Sequence, residues 1–144
     1  QFIQMDWQPR IPSTTSEFAI NAANSRYWPA KTKNYITQLL TGKEGPRGRN
    51  FNMRWNGSLV ADAFRIFRRG GIFLYPQDSR KGYEDGRLRL VYEANPIALL
   101  IEQAGGRASD GTKAILDIVP TGYHMRVPFI FGSADEVDSY HSQQ

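Results

Sequence analysis

The period of the hydrophobic pattern changes in the middle of the chain, which marks a strand followed by a helix. Basic and apolar residues alternate from Arg87 to Tyr92, a pattern typical of a β-strand with one face in a core. Beyond Pro96 the apolar residues recur with helical spacing, at positions 97, 100, 101 and 104. Asn95 is predicted to cap this helix, with Pro96 at its first position. Glu93 therefore lies at a strand-to-helix turn, where a helix N-terminus favours negative charge.

Three more helices follow from the same kind of pattern. One is capped by Thr32, carries its buried stripe at positions 35, 36, 39 and 40, and ends at Gly42. The second begins after residues 56–58, has Val60 and Phe64 on its apolar face, and ends at positions 70–71. The third is a short helix at the C-terminal end, for which residues 133 and 136 form a capping box.

Four further segments are predicted as strands, at 17–20, 72–75, 114–119 and 127–131. Because strands and helices alternate without a repeat or a linker, residues 1–144 are predicted to form one α/β domain. Its architecture is a layered domain with a central mixed β-sheet flanked by helices. The predicted core residues are Phe73, Leu90, Ile101, Leu116 and Ile130.

Composition narrows the class of protein. The chain has 144 residues, 40% of them hydrophobic, and no cysteine, which excludes disulfides and thiolate metal sites. The net charge of +4 comes from basic residues interleaved with acidic ones, and no nucleic-acid-binding motif is present. This charge suits an anionic small molecule. With no membrane-spanning run and no secretory signal, we expect a cytoplasmic protein that binds neither membranes nor nucleic acid.

Polar and aromatic residues lie at the predicted ends of several elements, where ligand sites of α/β domains collect. They are Asn21, Arg54, Trp55, Tyr75, Arg87 and Glu93. Basic groups and a tyrosine hydroxyl suit a phosphate. The alternatives are core packing for the two aromatic residues, a solvated position for Arg54 and a dipole-stabilising role for Glu93. The residues alone indicate an α/β domain that binds a phosphorylated metabolite.

Several ordered segments also resemble class I fructose-1,6-bisphosphatase. They are residues 56–62 (NGSLVAD), 69–76 (RGGIFLYP), 86–106 (GRLRLVYEANPIALLIEQAGG), 108–111 (ASDG), 115–120 (ILDIVP) and 126–128 (RVP). The resemblance runs from about residue 17 to the C-terminus and covers the C-terminal, sugar-phosphate-binding domain of that family. It implies the C-terminal half of the sugar phosphatase fold, with the N-terminal metal and AMP domain absent.

The resemblance implies a set of substrate-binding positions. They are Asn21, Asn24, Arg54, Trp55, Phe73, Leu74, Tyr75 and Arg87. Arg54 falls where the family places an arginine that reaches the 6-phosphate in a neighbouring subunit, so the parent is expected to be a homodimer or homotetramer. Trp55 replaces a residue that is often Tyr, Arg87 one that is usually Lys, and Asn24 one that is Tyr in some relatives. Arginine keeps the positive charge of lysine but carries a planar guanidinium with a fork of N–H donors.

Glu93 matches the one C-terminal metal ligand of the family, for Mg²⁺ or Mn²⁺. The remaining carboxylates belong to a DPxDG-type motif, which this chain lacks. The resemblance therefore implies a parent that hydrolyses fructose 1,6-bisphosphate, in gluconeogenesis or the Calvin cycle, with an N-terminal domain as the partner. We expect the chain to be a processed or truncated piece and to be inactive alone. Two alternatives stay open: a sedoheptulose-1,7-bisphosphatase or dual-substrate domain, and a non-catalytic sugar-phosphate-binding or interaction module.

Overall fold

Five short strands form a mixed sheet at the centre of the computed structural model, which describes residues 1–4 and 8–143. In spatial order they are β2 (Asn52–Met53), β1 (Glu17–Ala19), β3 (Ile72–Tyr75), β7 (Phe129–Gly132) and β5 (Arg107–Ser109). Strand β1 is parallel to both of its neighbours, whereas β7 is antiparallel to β3 and β5. Strands β4 (Leu88–Arg89) and β6 (Arg126–Val127) pair separately. The predicted mixed-sheet α/β fold is confirmed.

Helices cover both faces of the sheet. They are α1 (Ala30–Thr41), α2 (Leu59–Arg69), α3 (Asn95–Gln103) and α4 (Ala134–His141), with 3-10 turns at Ala22–Tyr27, Gly42–Glu44 and Ile115–Asp117. Strand β3 alternates between the two faces: Phe73 packs in the cluster under α2 and α3, whereas Ile72 and Leu74 pack in the cluster under α1 and α4. A buried strand with apolar residues on both faces is what the run at 72–75 predicts.

Four of the five predicted core residues are fully buried, and Leu116 is not. Its side chain is 42% exposed, while the neighbouring Ile115 is completely buried. The predicted strand at 114–119 is wrong, because the backbone turns there: Asp117 and Ile118 donate to carbonyls three residues back. Sequence patterning also missed β2 and β5, which are two and three residues long.

The predicted helices exist, but their caps differ from the prediction. Helix α1 begins at Ala30 after Pro29, and Thr32 is buried inside the helix with its hydroxyl 2.9 Å from that of Tyr140. Ser133 does precede α4, yet its hydroxyl accepts the N–H of Gly71 across the fold rather than one of its own helix. The side chain of residue 136 likewise bonds elsewhere, so the predicted capping box is wrong.

The strand predicted at 87–92 is only two residues long, and the helix begins earlier than expected. After Arg89 the backbone enters a π-helical turn, Leu90–Ala94, which continues into α3. Asn95 has helical dihedral angles and is no cap. The carboxylate of Glu93 accepts the N–H of Arg89 instead, at 2.7 Å. Glu93 thus stabilises the start of the helix.

The segment predicted as one strand at 127–131 is divided at Pro128. The residues before it pair with β4, and those after it form β7 between β3 and β5. Proline lacks the N–H that a central strand position would need. None of the helices in the described residues is long and apolar enough to cross a membrane.

Candidate functional site

Five of the predicted binding residues line one small cleft at the edge of the sheet. They are Asn21, Asn24, Trp55, Leu74 and Tyr75, together with Ile20, Trp28, Pro76 and Asp78. The cleft forms there because β1 and β3 are parallel neighbours, so that the segments following both strands emerge at the same edge. The segment leading into α2 contributes the tryptophan.

Aromatic stacking fixes the wall of the cleft. The indole of Trp55 stacks on Phe73 with ring centroids 5.6 Å apart and meets Tyr75 edge-on at 6.0 Å. Phe73 is itself buried in the core, so it supports the indole from below. Leu74 is also buried and forms part of the floor. The structure therefore places Phe73 beneath the surface of the cleft, whereas Trp55 and Tyr75 are half-buried at it.

A buried carboxylate shapes the turn that carries the tryptophan. Asp62, in the first turn of α2, accepts the backbone N–H groups of Asn56 and Gly57 at 3.2–3.3 Å and a hydrogen bond from Arg65. Ser58, at the start of the helix, makes no side-chain capping bond. Sequence reasoning missed Asp62, although an acidic residue in the first helical turn is a known signal for a stabilised N-terminus.

Arg87 joins the cleft through Tyr75. Its Nη1 donates to the tyrosine hydroxyl at 3.2 Å, and its guanidinium carbon lies 3.7 Å from the centroid of the Tyr83 ring. Gly86 places it there: with φ at +87°, a Cβ would lie 2.2 Å from the nitrogen of Pro128. Tyr83 was not predicted, since it lies in an irregular loop whose path no periodicity indicates.

Asn21 and Asn24 stand on the turn between β1 and α1. The side-chain oxygen of Asn21 accepts the N–H of Ala23 at 3.2 Å and caps the 3-10 turn. Both residues are half-buried. Their amide groups give the cleft neutral hydrogen-bonding groups.

Arg54 takes a different position from the other predicted residues. Its backbone N–H donates to Phe18, which fixes it beside β1, but its side chain is 51% exposed. The guanidinium lies 3.7 Å from the carboxylate of Glu17, which also contacts Arg65 and Arg69. The structure thus shows Arg54 at the surface in a cluster of three arginines around one carboxylate.

Glu93 provides the type of oxygen that Mg²⁺ binds. One of its oxygens accepts the N–H of Arg89, and the Arg89 guanidinium lies 3.8 Å away. Within residues 1–4 and 8–143, no group of three or more His, Cys, Asp or Glu side chains could hold a metal ion. The residues that the structure describes do not by themselves supply a complete metal site.

Comparison with known proteins identifies the family. The family model described as "Fructose-1-6-bisphosphatase, C-terminal domain" matches residues 11–144. The chain belongs to this family. Fructose-1,6-bisphosphatases of class 1 from Azorhizobium caulinodans and Nitrobacter hamburgensis are 62% and 63% identical over 136 and 128 residues. The resemblance found in the sequence is confirmed.

A solved structure carries the same fold. The fructose-1,6-bisphosphatase of Leishmania major in its holo form superposes with a TM-score of 0.85 at 38% identity, over 92% of this chain. The chain corresponds to 39% of that structure and spans 42% and 37% of the two bacterial relatives. The chain therefore spans about two fifths of the length of the enzymes that it resembles.

Proposed function

We propose that the residues around this cleft, which itself encloses only about 10 Å³, contact the sugar phosphate of a fructose-1,6-bisphosphatase. We further propose that a full-length protein carrying this domain hydrolyses fructose 1,6-bisphosphate to fructose 6-phosphate and phosphate. The observation that carries the proposal is the convergence of Asn21, Asn24, Trp55 and Tyr75 on one cleft, with Arg87 bonded to the tyrosine. These residues come from four separate segments, so the convergence is a property of the fold.

The chemistry of the groups supports a phosphorylated sugar. The guanidinium of Arg87 and the hydroxyl of Tyr75 can both donate to phosphate oxygens, and an arginine can do so bidentately. A charge-assisted bond of this kind contributes about 1.5–3 kcal/mol. The two asparagines can donate to and accept from hydroxyl groups, and the indole N–H of Trp55 can donate.

Catalysis needs groups that this chain does not contain. We infer that Glu93 contributes one ligand to a Mg²⁺ or Mn²⁺ site whose other ligands come from the additional length of the relatives. A divalent ion bound there would neutralise charge on the transferring phosphate and activate a water molecule. Because one carboxylate cannot build such a site, the chain alone should release little phosphate.

The partner that completes the enzyme is proposed to cover an apolar face of α2 and α3. Val60, Phe64 and Leu100 are each more than half exposed and line one groove with Ala63 and Ile97. Helical spacing predicts apolar residues here, and the structure leaves them without a cover. The relatives have more than twice the length of this chain. We propose that this additional part packs on the groove.

A hybrid enzyme tests these proposals together. The segment of the Azorhizobium caulinodans relative that matches this chain is replaced by this chain, and phosphate release is measured with Mg²⁺. We expect turnover of fructose 1,6-bisphosphate, and Glu93→Gln should reduce kcat far more than it changes KM. A hybrid that folds as a single cooperative unit yet releases no phosphate would contradict the enzyme proposal and favour a non-catalytic module. Sedoheptulose 1,7-bisphosphate is the second substrate to compare.

Two matched substitutions test the proposed contact face. Phe64→Asp should lower the midpoint of thermal unfolding of the hybrid and its activity, since it puts a charge into a covered apolar surface. Leu40→Asp is the control, because Leu40 on α1 is 69% exposed and Phe64 is 67% exposed. Equal, small effects of both changes would contradict the proposed face.

A further inference from the structure

Arg87 belongs to a row in which tyrosine rings and guanidinium groups alternate. We call this row the Tyr–Arg stack; its members in order are Tyr27, Arg80, Tyr83, Arg87 and Tyr75. The guanidinium carbon of Arg80 lies 4.4 Å from the centroid of Tyr27 and 5.3 Å from that of Tyr83. That of Arg87 lies 3.7 Å from Tyr83 and 5.9 Å from Tyr75. The stack thus runs from the 3-10 turn of residues 22–27 through the loop of residues 77–87 to Tyr75 in the cleft.

The loop end of the stack is anchored by a buried carboxylate. Asp78 is almost fully buried and accepts three hydrogen bonds from Arg80, at the backbone N–H and at two guanidinium nitrogens. The N–H of Asp78 donates to the carbonyl of Tyr83, and the N–H of Tyr83 donates to that of Arg80. These hydrogen bonds from Arg80 lower the pKa of the Asp78 carboxyl, so it stays ionised. The loop is therefore closed on itself, and the Tyr83 ring is held in place.

A distance of 3.7 Å is the separation of two groups in face-to-face contact. A guanidinium is planar and can lie flat on a ring, whereas an ammonium is a compact point charge. The free arginine side chain loses about 2 kcal/mol of rotamer entropy when it is ordered. A ring that holds the guanidinium before the ligand arrives removes part of that cost from binding.

We propose that Tyr83 is a positioning residue for Arg87, held in turn by Arg80 and Asp78; the inference rests on the proposed function of the cleft. Tyr83 fixes the plane of the guanidinium so that Nη1 faces the Tyr75 hydroxyl and the phosphate. It acts through stacking and not through its own hydroxyl.

Substitutions of Tyr83 that keep or remove its aromatic ring distinguish this positioning role from a general effect on the stability of the fold. In the hybrid enzyme, Tyr83→Phe should leave KM for fructose 1,6-bisphosphate within about twofold. Tyr83→Leu should raise KM about three- to tenfold while kcat changes less than about twofold, as expected for the loss of one cation–π contact. In an Arg87→Ala background, Tyr83→Leu should change KM by less than about twofold, because the group that Tyr83 positions is gone.

Crystal structures of the unliganded hybrids provide a readout that does not depend on activity. Arg87 should be stacked on the ring in the unsubstituted hybrid and in Tyr83→Phe, and it should take another rotamer or several in Tyr83→Leu. An Arg87 that keeps its position in Tyr83→Leu would overturn the inference. An unchanged KM in Tyr83→Leu would also overturn it. An equal rise in KM on Tyr83→Leu with and without Arg87 would do the same. If the unsubstituted hybrid has no activity, the proposed function fails, and the position of Arg87 alone decides this inference.

Discussion

Replacing Glu136 by Gln would remove the charge on which the basic loop of residues 43–50 is anchored. The Glu136 side chain is 1% exposed. It accepts the Tyr35 hydroxyl at 2.8 Å and the Nη2 groups of Arg47 and Arg49 at 2.6 and 2.7 Å. Glutamine has nearly the same size and leaves no cavity. The change therefore tests the charge and its hydrogen bonds alone.

The magnitude follows from the exposure of the two arginines. Removing one partner of a buried ion pair costs about 3–5 kcal/mol, because the other charge is left without compensation. The Arg47 side chain is 15% exposed and that of Arg49 is 42% exposed, so solvent offsets part of the loss. We expect the free energy of unfolding to fall by about 2–3 kcal/mol. At about 2.1 cal/mol/K per residue, this lowers Tm by roughly 7–10 °C for a chain of this length.

The assay is thermal unfolding followed by circular dichroism at pH 7. Glu44→Gln is the control, since it makes the same chemical change at an exposed position on the neighbouring 3-10 turn and should lie within about 0.5 kcal/mol. Burial is the main cause of the raised pKa of Tyr35, and the charge of Glu136 raises it further. Glu136→Gln should therefore also let this tyrosine ionise at a lower pH. A Tm within 2 °C of the unsubstituted chain would refute the reasoning.

Three further outcomes are expected. Burial lowers the pKa of His141, so the neutral side chain should contribute to stability above about pH 6.5. That contribution should be lost as the pH falls through the pKa of the folded state. His141→Gln should therefore reduce the pH dependence of the free energy of unfolding, measured from urea unfolding curves. Gly132→Ala should cost at least about 3 kcal/mol, because its φ is +144° and a Cβ would lie 2.0 Å from a backbone carbonyl, whereas Gly122→Ala, in open space, should cost far less. Arg54→Ala in the hybrid should raise KM about ten- to a hundredfold. If Arg54 serves a neighbouring subunit, oligomers mixed from Arg54→Ala and Glu93→Gln subunits should show KM values different from those of either variant. Kinetics equal to the sum of the two variants would assign Arg54 to its own subunit.

The sequence predicted elements well and long-range partners poorly, for a physical reason. The spacing of apolar residues and the residues that end an element are local signals, so a few residues are enough to predict the strand at 72–75 and the helix that ends at Gly42. Glu136 has the local spacing of a capping residue, yet its partners lie about 90–100 positions away. Leu100 has helical apolar spacing but is exposed, because a pattern indicates an apolar face and not what covers it.

The cleft was predictable in part. Asn21 comes just after β1 and Tyr75 is the last residue of β3, so the parallel pairing of these strands brings the two residues to one edge. The family resemblance supplied Asn24 and the place of Trp55. The supporting residue Tyr83 could not be found in this way, since it lies in a loop whose path only the folded backbone shows.

The most direct test of the account is a crystal structure of the hybrid enzyme with fructose 6-phosphate. We expect the phosphate on the guanidinium of Arg87 and the hydroxyl of Tyr75, with the sugar against Trp55. A sugar phosphate that binds instead in the larger polar groove lined by Glu84 and Arg126 would contradict the central claim.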